Sequence, residues 1–98
     1  MCGLAELIVK AGADYDFSKF KEASKLMAHR GPDNFGEYCS DNLALFHYRL
    51  SIIDIEERSN QPFFNEDKTK VIVYNGEIYN FKELASKYNL DLKTSSDT

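Results

Sequence analysis

The sequence predicts an α+β fold in which antiparallel sheet is covered by helices. Three observations carry this. The extended segments come in hairpin pairs and are not interleaved one by one with helices. The longest uninterrupted apolar runs, Leu43 to Phe46 and Val71 to Tyr74, are four residues, so they suit short strands. A membrane span needs about 20 such residues. The 98 residues are 43% hydrophobic and 29% charged, a globular composition with room for at most one domain. A chain this short buries only about 60–65% of its unfolded surface, so the core is small.

Each element follows from its residues. Cys2 to Val9 is apolar and stops at the turn-like Ala11-Gly12-Ala13-Asp14, which predicts a strand. Phe17 to Ala28 is predicted helical. Phe17, Phe20, Ala23, Leu26 and Met27 recur at helix spacing, and Lys19, Lys21, Glu22 and Lys25 fill the other side. Asp16 and Ser18 are both candidate caps. Arg30-Gly31-Pro32-Asp33-Asn34 ends the helix, because Gly-Pro cannot continue it. Phe35 to Cys39 and Leu43 to Leu50, around Ser40-Asp41-Asn42, predict a hairpin. Ser51 to Pro62 is loop-like, with Ile52, Ile53 and Ile55 on a partly buried path. Gln61 to Phe64 and Lys70 to Asn75 predict a second hairpin. Asn80-Phe81-Lys82-Glu83 is a capping box that opens a helix to about Lys87. Asn89 can close it in the left-handed conformation. Leu90 to Thr94 is expected to begin another strand. The thirteen aromatics, all Tyr or Phe, point to an aromatic core.

A net charge of −4 and a pI near 5.1 argue against nucleic acid or an anionic membrane as the main partner. Met1 to Glu6 has no basic lead and no long apolar stretch, so no signal peptide is expected and the cytoplasm is the default location. Two cysteines in that setting are expected to be reduced thiols.

Three places can carry chemistry. Cys2 follows Met1, and a small second residue permits removal of Met1. Cys2 would then bear both a thiol and a free α-amine, groups that titrate near 8.5 and 8. The amine can take the thiol proton and later return it to a leaving group. With Met1 retained, that amine is locked in a peptide bond. Position alone also fits a small buried hydrophobe. Asn75-Gly76 can aim a side-chain amide and a backbone N–H at one oxygen, as an oxyanion hole requires. It is also the commonest tight-turn dipeptide. Arg49, Glu77 and Asp97 together suit an amino-acid zwitterion, and one by one suit a solvated surface. Cys2, His29, Cys39 and His47 lack the close pair spacing of a zinc site and come from four separate elements. No motif here cradles a nucleotide.

Read together, these segments resemble the glutamine amidotransferase domain of the asparagine synthetase type, a class II, N-terminal-nucleophile amidohydrolase. The resemblance rests on Met1-Cys2-Gly3, His29-Arg30-Gly31-Pro32-Asp33, Arg49-Leu50-Ser51-Ile52-Ile53-Asp54, Gln61-Pro62, Asn75-Gly76-Glu77-Ile78-Tyr79-Asn80 and Ser96-Asp97. It implies an N-terminal-nucleophile hydrolase-like αββα sandwich, two antiparallel sheets between helices. It implies that Cys2 attacks the side-chain amide of L-glutamine to form a thioester. Asn75 and the Gly76 N–H would form the oxyanion hole. Arg49 would bind the α-carboxylate, and Glu77 and Asp97 the α-amine. Arg30 to Asp33 would lie beside the site. The ammonia would pass to a synthetase domain that uses ATP and magnesium to activate a carboxylate. Tyr74-Asn75-Gly76-Glu77 and Arg30-Gly31-Pro32-Asp33 favour the asparagine synthetase branch, which β-lactam-forming and polysaccharide amidotransferases share in pattern.

By the same resemblance, residues 1–98 cover about the first half of the glutaminase domain, with no cofactor in this segment and no synthetase domain. Half a sandwich exposes a sheet edge and an apolar face. The 98 residues are therefore expected to be marginally stable, to self-associate, or to need the missing half or the synthetase domain as partner. The alternative to a glutaminase is a catalytically incompetent scaffold that serves as an interaction or regulatory module.

Overall fold

A computed structural model describes residues 2–51 and 57–98. Strand β1 is Gly3–Ile8, helix α1 is Phe17–Ser24, β2 is Asn34–Cys39 and β3 is Leu43–Arg49. Two short strands, β4 (Phe63–Phe64) and β5 (Val71–Ile72), precede helix α2 (Phe81–Lys87). Single 3-10 turns occupy Lys25–Arg30 and Glu57–Ser59. The fold is mixed, with antiparallel strands throughout, as the hairpin pattern predicts. The expected buried path of Ile52, Ile53 and Ile55 lies outside the described residues.

The main sheet has three strands in the order β1-β3-β2, and β4 and β5 form a separate pair. Strand β3 is central and is buried from Ala44 to Arg49. Its alternation assigns two unlike faces. Ala44, Phe46 and Tyr48 face α1 and the first 3-10 turn. Phe46 is fully buried, with Phe20 at 5.5 Å and Phe35 at 5.9 Å between ring centroids. Phe35 also stacks on Tyr48 at 4.8 Å. This is the expected aromatic core. Leu45, His47 and Arg49 face the other way, toward the β4–β5 segment. There Tyr38, paired with Leu45, meets the Phe64 ring edge-on at 5.4 Å.

Several expectations are corrected. The α-helix stops at Ser24 instead of Ala28. The Ser24 hydroxyl donates to the Lys21 carbonyl at 2.7 Å and also meets the Tyr48 hydroxyl at 3.1 Å. A bond back three residues favours the tighter 3-10 turn. The helical period is lost there, so Leu26, expected on the apolar face, is 81% exposed. Asp16, not Ser18, is the N-cap, accepting from the Ser18 N–H at 3.0 Å.

The Asn80 capping box does not form: its side chain makes no cap bond. Asn80 is not extended (φ −99°, ψ 25°), as side-chain capping requires. Asn89 does close α2 at φ 52°, with Leu90 N–H returning to the Ala85 carbonyl at 2.8 Å. Beyond it, Leu90 to Thr94 forms no strand. The second hairpin keeps only two residues per strand. The Gln61-Pro62 peptide bond is cis. None of the described helices is long and apolar enough to cross a membrane.

The radius of gyration is 14.8 Å and the extents are 44 × 30 × 18 Å. A compact domain of this length would have a radius near 13 Å. The molecule is thus a slab, with a wide face on each side of β3. Close backbone approach holds the slab together. A Cβ on Gly36 would overlap the Gln61 carbonyl oxygen and touch Pro62 Cδ. Gly36→Ala is therefore expected to push the 61–62 segment off the sheet and cost about 1–3 kcal/mol, the range of overpacking. A urea midpoint equal to that of the unsubstituted chain would refute this contact.

Candidate active site

Cys2 stands one residue before β1, and the β1–β3 register, with Gly3 opposite Tyr48, carries it to the Arg49 end of β3. Its thiol is half-buried. Sγ accepts from Leu50 N–H at 3.3 Å and donates to the Leu50 carbonyl at 3.6 Å, so one residue fixes the sulfur twice. The Arg30 Nε–H donates to the Cys2 carbonyl at 3.4 Å. Asp33 braces the same end of β3: its N–H donates to the Arg49 carbonyl at 2.9 Å, and its carboxylate accepts from Ser51 N–H at 2.7 Å. Gly31 permits this, because a Cβ there would overlap the Tyr48 carbonyl. The Arg30–Asp33 loop thus lies beside Cys2, as expected.

Arg49 ends β3 and is only 5% exposed. Its Nη1 donates to Asn60 Oδ1 at 2.6 Å, which orients the guanidinium. The buried guanidinium is unlike the solvated surface charge that its sequence position also allowed. Asn75 and Gly76 follow Tyr74 in the stretch that leaves β5. A Cβ on Gly76 would stand 2.5 Å from the Tyr74 hydroxyl. Asp97 reaches this loop from the far end of the chain, its Oδ2 accepting from Ile78 N–H at 2.6 Å. Glu77 accepts from the Tyr79 phenol and so pushes that phenol's pKa up.

The six candidate residues, Cys2, Arg49, Asn75, Gly76, Glu77 and Asp97, all line one cleft of about 430 Å³. That size falls in the ordinary range of small-molecule sites. It gathers a nucleophile, a buried cation, an Asn-Gly pair and two carboxylates from four separated stretches of chain. Its seven other lining residues, Ser59, Gln61 and Tyr74 among them, were not singled out as site residues from sequence. All but Ser59 and Thr98 lay within the short blocks that carried the resemblance. The Cys2, His29, Cys39 and His47 set is not gathered. Among the described residues no three His, Cys, Asp or Glu side chains are grouped to hold a metal ion.

The profile of the glutamine amidotransferase domain matches residues 1–98. The chain belongs to the glutamine amidotransferase family. Its similar proteins include asparagine synthetase B [glutamine-hydrolyzing] of Escherichia coli strain K12, 48% identical over 81% of this chain and 14% of that protein. The asparagine synthetase [glutamine-hydrolyzing] of Zea mays is 44% identical over 99% of this chain and 17% of its own length. Asparagine synthetase [glutamine-hydrolyzing] 2 of Bacillus subtilis strain 168 is 41% identical over 99% of this chain and 13% of its own. The chain therefore spans 13–17% of these relatives, which are enzymes named for glutamine hydrolysis.

His47 is 1% exposed, with Nε2 3.2 Å from the Tyr74 carbonyl. A carbonyl only accepts, so Nε2 carries a proton and Nδ1 is the nitrogen that titrates. Nδ1 has no partner among the described residues. Burial pushes the His47 pKa down from 6.5; the bond to Tyr74 opposes this and the Arg49 charge adds to it. The unfolded chain therefore binds more protons as pH falls below about 6.5. Stability contributed by neutral His47 is full above that pH and is lost below it, down to the lowered folded pKa. Replacing His47 by Gln should flatten the slope of urea stability below about pH 6.5. An unchanged slope would show that His47 does not titrate there.

Proposed function

We propose that the cleft binds L-glutamine and hydrolyses its side-chain amide to glutamate and ammonia, with Cys2 as nucleophile. The observation that carries this is the convergence of the six residues on one cleft. Family membership and the names of the relatives support the same chemistry. In this reading the described strands and helices are part of a four-layer αββα glutaminase domain. The ammonia goes to a synthetase domain, in which ATP activates the acceptor carboxylate. An acceptor of the aspartate type follows from the relatives' names.

Arg49 takes the α-carboxylate of glutamine, and Glu77 and Asp97 take the α-ammonium. The side-chain amide then lies over Cys2. The Cys2 α-amine, freed by removal of Met1, takes the thiol proton as Sγ bonds to the amide carbon. Met1 lies outside the described residues. The carbonyl π pair moves onto oxygen, which Asn75 Nδ2 and Gly76 N–H stabilise. The α-ammonium returns the proton to the amide nitrogen, the C–N bond breaks and ammonia leaves. Water then adds to the thioester carbon while the amine takes its proton. The C–S bond breaks, Sγ is reprotonated and glutamate departs.

The test is intact mass before and after an electrophilic glutamine analogue. Loss of one Met and one adduct, absent from Cys2→Ala, is expected. No adduct under saturating analogue would overturn the reading. Asn75→Ala should lower kcat for glutamine hydrolysis about 10²–10³-fold with little change in KM, since an oxyanion donor acts in the transition state. A rise in KM alone would assign Asn75 to ground-state binding.

A further inference from the structure

The β4–β5 ladder pairs Phe63 with Ile72 and Phe64 with Val71. Continued by two steps, it would bring Gln61 opposite Tyr74. The paired residues end at Phe63 and Ile72, and the Gln61 carbonyl lies against Gly36 of β2. The Gln61 side chain bridges instead. Its Oε1 accepts from Tyr74 N–H at 2.5 Å and its Nε2 donates to the Tyr74 carbonyl at 3.2 Å. The reverse amide orientation would set two donors and two acceptors face to face, so this one is fixed. Nε2 also meets Thr98 Oγ1 at 3.3 Å. Gln61 is 7% exposed, so bulk water does not compete for these bonds. His47, from the main sheet, adds a second donor to the same carbonyl at 3.2 Å. Both hydrogen-bonding groups of Tyr74 are thus held by side chains, immediately before Asn75-Gly76.

We propose that Gln61, seconded by His47, is a positioning residue: its carboxamide clamps the Tyr74 backbone and so sets the direction of the Asn75 amide and the Gly76 N–H. The catalytic half of this rests on the glutaminase reading; the clamp itself does not. Gln61 touches no reacting atom. Its loss should weaken oxyanion stabilisation while leaving the α-carboxylate and α-amine contacts in place.

Amide exchange and ¹⁵N spectra of the whole chain test the clamp without any substitution. Tyr74 N–H should be protected. In Gln61→Met, which keeps the volume and removes both bonds, it should exchange about tenfold faster, the scale of one hydrogen bond. The Asn75 and Gly76 signals should shift, while amides of the β1–β3 ladder stay protected. The kcat for glutamine should fall about 10²-fold, with KM within about threefold, as for loss of an oxyanion donor. Alkylation of Cys2 by iodoacetamide, which develops no oxyanion, should keep its rate. If Gln61→Met does not fold, Gln61→Glu retains the acceptor for Tyr74 N–H and is expected to show the same kcat loss. An unprotected Tyr74 N–H in the unsubstituted chain would overturn the clamp. So would unshifted Asn75 and Gly76 signals in Gln61→Met. Shifted signals with unchanged kcat, or a change in KM alone, would overturn the positioning role. Absence of Cys2-dependent glutamine hydrolysis in the unsubstituted chain would instead overturn the glutaminase reading, and Tyr74 exchange would still decide the clamp.

Discussion

Double-sided burial of β3 is the constraint on which the rest of the molecule depends. A strand covered on both faces must find partners for two unlike sets of side chains. On one face Phe46 and Tyr48 meet α1 and its 3-10 continuation, and cohesion there is apolar. On the other face His47 and Arg49 are buried polar groups, and cohesion there is by hydrogen bond. Apolar contact is non-directional and tolerates small shifts. Hydrogen bonds do not, and an unsatisfied buried group costs about 1–3 kcal/mol. The face that holds the cleft is therefore the more sharply specified of the two.

This has a consequence for how distant residues reach one place. Gly31 and Gly36 remove side chains where backbone must pass close to backbone. The first lets the Arg30–Asp33 loop fold over the end of β3, beside Cys2. The second lets the 61–62 segment lie against β2. Asp97 ties the end of the described chain to Ile78. Each contact closes a long loop, whose entropy cost grows only slowly with length. Polar contacts can therefore close such loops when they form together on one rigid strand. The cleft is the volume left where these closures meet.

Much of this was legible in sequence because it is local. Ser40-Asp41-Asn42 between two strand-like segments predicted the first hairpin, and Asn89 announced the end of α2 by its tolerance of positive φ. The six cleft residues were legible only as short blocks; their order along the chain carries no distance information. What was not legible came from tertiary override. Ser24 tightened the helix because Tyr48 was there to share its hydroxyl. Asn80 did not cap because its backbone is not extended there. Leu90 to Thr94 has strand-like residues, but strand propensity is realised only against a partner. Gln61 was visible as part of a block, yet its bonds to Tyr74 cannot be read from spacing.

Gln61 and His47 also explain why a polar pair is buried at all. An apolar pair at these positions would avoid the desolvation cost of an amide and an imidazole. It would leave the Tyr74 N–H and carbonyl without these partners, because the β4–β5 ladder stops at Phe63 and Ile72. The choice is thus between satisfying two backbone groups by side chains and orphaning both. Satisfaction by side chains brings directionality: the Tyr74 peptide groups are referenced to β3 through His47 and to β4 through Gln61. Cys2 is referenced to β3 through Leu50. Sulfur and Asn-Gly pair therefore share one mechanical reference, the end of the central strand. A shift of β3 would carry both together and preserve their separation, which matters more to a reaction between them than the position of either alone.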